Sequence, residues 1–542
     1  MPDKLQPAEP KPIRSRLTKR GVCVLSVLVA VGGVFAAWMF IDDSGETSPD
    51  ADSSSPITFN AEAVRSQVAT FCGDCHAVPL PESFPRSAWY DEVKRGYEFY
   101  YDSGRTDLEI PPMQDVVSFY RSQAPESLRF PSSVSGSDPG SVRFRRVSIR
   151  HPDDPQVLFA PGVAFLRWIR PEKNQAGSLL FCDMRSGDLG VVRPNHAKLR
   201  PELRAHLANP DHAEPCDLNN DGRMDLIVAD LGSFLPEDHN RGSVVWLRKE
   251  ASQDGYSPIV IQKNLGRITD VEPGDFDGDG DLDLIVAEFG YQQTGRILLL
   301  VNEGFDNGVP RFQSRQIDER HGAIHVPVVD FNGDGHLDFV ALISQEHEVI
   351  ELFLNQGNGR FQRQTIFAAN DPSFGSSGIQ LVDFDGDGDM DVLYTNGDTF
   401  DSHHVKPYHG IQWLENRGSF PFVPHHLAVM PGVHRALAGD IDGDGDLDIV
   451  AVAFLPQQLI SQQRNTELDS VMWLEQTEPG RFIRHTLEAS TCNHAALELA
   501  DFDEDGDLDL AVGNFRESAD DQLPWFTVWW NLSIDRPVGD SP

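Results

Sequence analysis

Six stretches of nine residues limit what this chain can become: DLNNDGRMD at 217, DFDGDGDLD at 275, DFNGDGHLD at 330, DFDGDGDMD at 383, DIDGDGDLD at 440 and DFDEDGDLD at 501. Each carries Asp or Asn at positions 1, 3 and 5, Gly at 6 and Asp at 9, and each runs into an apolar segment such as LIVAEF. Carboxylates this close repel one another unless a cation offsets them. Alternating oxygens around a glycine turn suit calcium, a hard ion that takes about six to eight oxygen ligands. The expected ligands are Asp217, Asn219, Asp221 and Asp225; Asp275, Asp277, Asp279 and Asp283; Asp330, Asn332, Asp334 and Asp338; Asp383, Asp385, Asp387 and Asp391; Asp440, Asp442, Asp444 and Asp448; and Asp501, Asp503, Asp505 and Asp509, for up to six Ca2+. Position 7 varies freely, as expected of a residue offering only its carbonyl. An EF-hand needs a bidentate Glu at position 12. Position 12 here is Val228, Val286, Ala341, Tyr394, Ala451 or Val512, so these loops enter strands rather than helices.

The loops recur every 53 to 61 residues, with several short strands in each interval. That period indicates a propeller. Segments such as VVWL, ILLLVN, IELFLN, IQWLEN, VMWLEQ and TVWWNL supply a third strand, and RFQSRQI (311–317), RFQRQTI (360–366) and RFIRHTL (481–487) an outer one. A further copy, RFRRVSI at 143–149, precedes the first complete unit, whereas the last unit ends without an outer strand. Residues 143–149 are therefore expected to close the ring. Residues 160–210 read as a degenerate blade without calcium ligands, giving a mostly β, seven-bladed propeller over 140–532. The repeats resemble the FG-GAP/VCBS family of calcium-binding propellers. The resemblance implies the fold, calcium and a role in recognition or adhesion, but no reaction.

Six basic residues (Lys4, Lys11, Arg14, Arg16, Lys19 and Arg20) precede 21 residues, 21–41, that carry no charge. About 20 apolar residues span a bilayer, and basic flanks stay in the cytoplasm. Length favours an uncleaved single-pass anchor over a cleaved signal peptide. Residues 1–20 are then a cytoplasmic N-terminus, 42–57 a polar tether, and everything beyond is exported to the periplasm or outside. A balance of 84 Asp+Glu against 45 Lys+Arg excludes a nucleic-acid partner, which requires a basic footprint.

After the tether comes Cys72-Gly-Asp-Cys75-His76, the attachment pattern of a c-type haem. Two thiols on one turn reach both vinyl groups of one porphyrin, and the adjacent imidazole meets the iron. Met113, behind Pro111 and Pro112, is the expected sixth ligand, which would suit electron transfer. Residues 58–128 resemble a short, all-α class I cytochrome c domain; the spacing of 37 from His76 to Met113 is tighter than usual. Trp89 and Phe99 are expected in its core or haem pocket.

Reading back from the loops, the innermost strands begin near His212, Asp270, His325, His434 with Arg435, and His494; the longest second turn, 396–413, adds Asp398, Asp401, His403, His404 and His409. These are expected to converge on the channel mouth opposite the calcium. A site for a metal, an anion or a partner competes there with imidazoles that merely satisfy backbone groups. Cys182 and Cys216 are read either as a disulfide or as buried thiols, with Cys492 left over. Three functions follow. The first is an anchored cytochrome with a calcium-held propeller, coupling electron transfer with a redox partner to recognition of a partner or a small-molecule or glycan ligand. The second makes the propeller an oxidoreductase feeding the haem. The third is adhesion, with a non-redox haem domain.

Overall fold

The computed structural model describes residues 61–129, 140, 142–152, 160–170, 177–193, 199–251, 255–400, 402, 404–456, 459, 468–516 and 523–533. The anchor segment 21–41, the tether, Asp401 and His403 lie outside them. Among the described residues no helix is long and apolar enough to cross a membrane.

Three helices come first: α1 (Ala61–Phe71), α2 (Trp89–Asp102) and α3 (Met113–Gln123). Apolar residues at helical spacing face one another: Val64, Val68 and Phe71 of α1, Trp89, Val93, Tyr97 and Tyr100 of α2, and Val116, Val117 and Tyr120 of α3 form one buried cluster. Trp89 stacks on Tyr120 at 4.0 Å and 5°. Trp89 is thus core as expected, whereas Phe99 stands 46% exposed.

The rest is seven antiparallel sheets in a ring. Blade 1 spans 163–206, blade 2 210–265, blade 3 268–318, blade 4 323–368, blade 5 376–429 and blade 6 433–489. Blade 7 consists of His494–Ala500, Asp509–Asn514 and Phe526–Asn531, completed by Phe144–Ile149. That closing strand pairs antiparallel with Phe526–Asn531, Phe144 opposite Asn531 and Ile149 opposite Phe526, as the repeat pattern anticipates. Second strands such as Asp283–Glu288 are buried at every residue, because both faces of a blade pack against neighbouring blades.

Every innermost strand shifts register at the same point, between Val163/Phe165, Pro210/His212, Ile268/Asp270, Ala323/His325, Ser376/Gly378, Val433/Arg435 and His494/Ala496. A bulge re-aims the side chains that follow it, so the ring presents seven equivalent positions at one level. In blade 4 the innermost strand is broken into Ala323–His325 and Val328–Val329. Pro327 stands in the gap and has no N–H to donate.

Candidate functional site

Each aspartate loop is built the same way. The glycine at position 6 is left-handed in all six copies, from Gly222 (φ 82°) to Gly506 (φ 106°), a conformation that side chains resist. The carboxylate at position 1 accepts the N–H of that glycine, for example Asp275 from Gly280 at 3.1 Å and Asp440 from Gly445 at 3.1 Å. Position 3 then accepts from the N–H of position 5, as Asp277 does from Asp279 at 3.3 Å. The turn folds the carboxylates inward: oxygens of Asp275, Asp277 and Asp279 lie within 4.8 Å of one another, as do those of Asp383, Asp385 and Asp387 and those of Asp440, Asp442 and Asp444. Burial, with neighbouring carboxylates adding to it, pushes Asp277, Asp385 and Asp442 above the ordinary range. Asp383 Oδ1 is buried without a hydrogen-bond partner among the described residues. Three converging carboxylates and an orphaned oxygen fit a hard cation. In two loops an amide stands at position 3 and relieves the repulsion directly: Asn219 donates to Asp221 and Asn332 to Asp334, each at 2.9 Å.

Position 9 has a structural job that the spacing did not reveal. Asp225, Asp283, Asp338, Asp391, Asp448 and Asp509 are each at most 1% exposed. One oxygen of Asp283 accepts the N–H of Asn302 at 2.7 Å, the other that of Phe276 at 3.2 Å. The same pair of bonds recurs in blade 7, where Asp509 accepts from Asn531 and Phe502. An amide on the third strand completes the tie: Asn302 donates to Leu282 O, and Asn355 and Asn531 reach the preceding blades at Phe276 O and Ile441 O, both at 2.8 Å.

On the opposite face, the mouth of the channel is apolar. Met184, Leu231, Phe454 and Phe515 cluster there with Phe234 and Phe400 packed against them. Phe234 stacks on Phe515 at 5.7 Å and Phe400 on Phe454 at 5.0 Å, so second turns of blades 2, 5, 6 and 7 share one aromatic cap. The expected ring of His and Asp lies at the bulge level, and only part of it comes together. His212 Nε2 is 2.9 Å from Glu214 and 3.2 Å from Asp270; His325 Nδ1 is 3.8 Å from Asp270, and Arg435 Nη1 is 3.3 Å from His325 Nε2. Arg167 pairs with Glu214, and Glu498 accepts the N–H of Trp168 at 2.8 Å. Burial pushes the Glu498 carboxyl up to about 7, while burial and the neighbouring His325 and Arg435 hold His434 down at about 4. The network ties the innermost strands of six blades across the channel. His434 is set against Phe454 instead, and His494 pairs with Glu488 at 2.9 Å.

His404 serves another contact. The second turn of blade 5 is where the helical unit docks. Phe84 meets the His404 ring edge-on at 5.6 Å, and Lys406 Nζ sits 3.8 Å over the Phe84 ring. Ser83 donates to Asp371, which also accepts from Tyr408 at 3.2 Å, and Lys406 reaches Ser373 at 3.0 Å. Lys406 is fully buried, and burial lowers its ammonium to about 8. His409 is fully buried beneath it, so it faces protein and not solvent.

In the helical unit, Cys72 and Cys75 follow the last turn of α1. Between them Gly73 is obligatory: a Cβ there would stand 2.5 Å from Ala69 O and 2.8 Å from Val78. Both thiols are free. The His76 Nδ1–H donates to Ala77 O at 2.7 Å, which leaves Nε2 as the free lone pair. Met113 opens α3 and lines a cavity of about 480 Å3 with Tyr97, Tyr101, Ile110, Pro111 and Pro112. Tyr97 pins this wall by donating to Pro111 O at 2.7 Å. Tyr101 and Ile110 are 59% and 37% exposed, an apolar surface that a flat hydrophobic group would cover. These residues fit a covalently held porphyrin. Elsewhere Cys182 and Cys216 are both free thiols, Cys182 buried among Leu180, Leu189 and Ala213 and Cys216 half-buried.

One cluster escaped sequence reading. His321, on the link between blades 3 and 4, meets Glu346 and His347 of the second turn of blade 4. Two His-Glu-rich turns 25 residues apart are the only signal the sequence carried.

Residues 217–286 and 330–394 match the family model described as FG-GAP-like repeat, so the chain carries such repeats on the blades that hold four of the loops. No curated protein matches it. Among solved structures, virginiamycin B lyase from Staphylococcus aureus is similar at 9% identity and a TM-score of 0.43, covering 72% of this chain and 99% of that one. BBS1N in complex with ARL6DN is similar at 12% identity and a TM-score of 0.40, covering 72% and 98%.

Proposed function

We propose that this chain is a membrane-anchored, extracytoplasmic c-type cytochrome whose propeller, held by calcium, recognises a partner and presents the haem to it. The observation that carries the reading is the end of α1. There a glycine-permitted turn spaces two free thiols, and the adjacent imidazole gives its Nδ1 proton to a carbonyl and keeps Nε2 unengaged. A histidine ligand needs that tautomer, fixed by a hydrogen bond behind the ring. Cys72 and Cys75 would hold the porphyrin and His76 the iron; Met113, on the wall that Tyr97 fixes, is the candidate for the other axial position. Bound haem supplies a one-electron couple, and a thioether ligand would raise its potential. Tyr97, Tyr101 and Ile110 would cover that side of the bound group.

The docking seam supports the coupling to the propeller. Trp89 stacks on Tyr120, Phe84 packs edge-on against Trp89 at 5.4 Å, and Phe84 meets His404, so rigid aromatic contacts run from the thiol-bearing end to the propeller. The alternative, a small-molecule oxidase at His409 and His434, has less support. His409 is fully buried, and His434 lies against the aromatic cap. The test is a pyridine haemochrome assay on the full chain, exported from a host that matures c-type cytochromes. One haem per chain, lost in Cys72→Ser with Cys75→Ser, is the expected result. A colourless protein that is otherwise folded ends the proposal.

A further inference from the structure

His321, Glu346 and His347 stand on the rim of the face that carries the second turns, away from the aspartate loops. One donor atom from each lies within 4.8 Å of the other two, and all three residues are partly exposed. His321 Nε2 is 3.0 Å from Glu346 Oε2. The His321 and His347 rings are 5.2 Å apart between centres, inclined at 62°. Two imidazoles bound through nitrogen to a tetrahedral ion at about 2.0–2.1 Å put their ring centres about 5.2 Å apart, and neighbouring donor atoms about 3.3 Å apart. The rings therefore already stand at the liganded separation. Seating an ion requires the His321–Glu346 contact to open by a few tenths of an ångström and the His347 donor, within 4.8 Å of both, to settle at about the same spacing.

The frame around the three side chains is stiff. Ser344 donates to Gly322 O from its backbone N–H at 2.8 Å and from its hydroxyl at 3.1 Å, clasping the turn to the residue after His321. Gly322 N in turn donates to Phe289 O at 2.8 Å. Within the turn, Gln345 (φ 56°) and Glu348 (φ 45°) are both left-handed, a conformation that costs a side-chain-bearing residue about 1 kcal/mol or more. The far end is anchored because Glu348 accepts the N–H groups of Gly375 and Ser376, each at 2.9 Å. Strain held in place by surrounding bonds clusters at ligand sites.

An exposed His–Glu pair alone would be an ordinary surface ion pair, of little consequence for stability. The second imidazole changes the chemistry. Two nitrogens and one carboxylate oxygen are a poor set for calcium, which wants oxygen throughout. They are a good set for an imidazole-preferring divalent ion, and three protein ligands leave a further position open. We propose that His321, Glu346 and His347 form a mononuclear transition-metal site, of the kind Zn2+ fills, with one coordination position left to water or an incoming ligand. The site is independent of both the haem and the calcium loops.

The test uses the full chain in excess Ca2+, so that the aspartate loops are saturated, and titrates it with Zn2+ by calorimetry. One saturable site per chain is expected. His347→Ala removes a ligand without touching the His321–Glu346 bond, and should weaken binding by roughly 100-fold with the calcium-loaded melting curve unchanged; ligand loss is at least as severe as the 10- to 100-fold that second-sphere changes bring. His321→Ala should do the same. His425→Ala, which removes a histidine paired with Glu415 in blade 5, should leave the affinity intact. The site is refuted if Zn2+ fails to bind saturably, if both ligand variants bind as the parent does, or if the His425 control falls equally.

Discussion

Position 9 of the aspartate loops shows how much one buried carboxylate carries. Replacing Asp283 by Ala strands the N–H groups of Asn302 and Phe276 in a dry interior, and each unsatisfied group costs about 1–3 kcal/mol. Asp283→Ala should therefore lose about 3 kcal/mol in urea unfolding even in excess chelator. Asp279→Ala, at the exposed fifth position, should change stability by less than about 0.5 kcal/mol in chelator but forfeit the gain that calcium gives that loop. In the haem-loaded protein, Met113→Ala should keep the porphyrin on its thioethers and lower the midpoint potential measured by redox titration; an unchanged potential would remove Met113 from the iron. The turn that positions 1, 3, 5 and 6 build was legible because residue type and spacing alone state it. The tie made by position 9 was not, because its partners lie on strands whose register only the closed blade sets. His321 and His347 were illegible for the same reason: their meeting depends on how a link and a turn clasp.

Between elements, the telling contact is the one made by the second turn of blade 5. That turn stands out in the sequence by length and by its histidines, which from the sequence alone are expected to converge on the channel mouth. Of these, His404 faces Phe84 of the helical unit, and His409 is buried against Lys406 of its own turn. Burial of that kind needs a second element, and nothing in residues 396–413 announces it. Phe84→Ala removes a ring shared by Trp89, His404 and Lys406 and should cost about 3–4 kcal/mol, seen as faster proteolytic release of the helical unit. Lys406 adds a pH signature. Asp371, Glu92 and Glu348 favour its charge, yet burial prevails and holds its folded value near 8, below the roughly 10.4 of an exposed lysine. Between those values the unfolded chain binds the extra proton, so the lysine's contribution to stability improves as pH rises from about 8 to 10. The melting temperature of the parent should gain on that of Lys406→Met across this window, and parallel curves would contradict the assignment.

At the scale of the molecule, seven blades, the degenerate first one and the closing strand were all readable, since a repeat with one outer strand displaced to the front implies a ring. The cap of phenylalanines over the channel was not, because each ring comes from a different turn and has no period. Calcium is expected to act on the ring as a whole. An ion that binds only folded loops stabilises by about 2.7 kcal/mol per site at a hundredfold excess over its dissociation constant. Excess chelator should thus lower the propeller's melting temperature measurably by calorimetry, and an unchanged transition would empty the loops. The closing strand has a consequence for how such a chain is made. Phe144 emerges early yet has no partner until Asn531 has followed it out. A nascent polypeptide must carry one raw sheet edge through nearly its whole synthesis, and any product cut short anywhere behind it keeps two. Truncated copies should be marked out for degradation or clumping by the same seam that, in the finished protein, leaves the circle without a beginning.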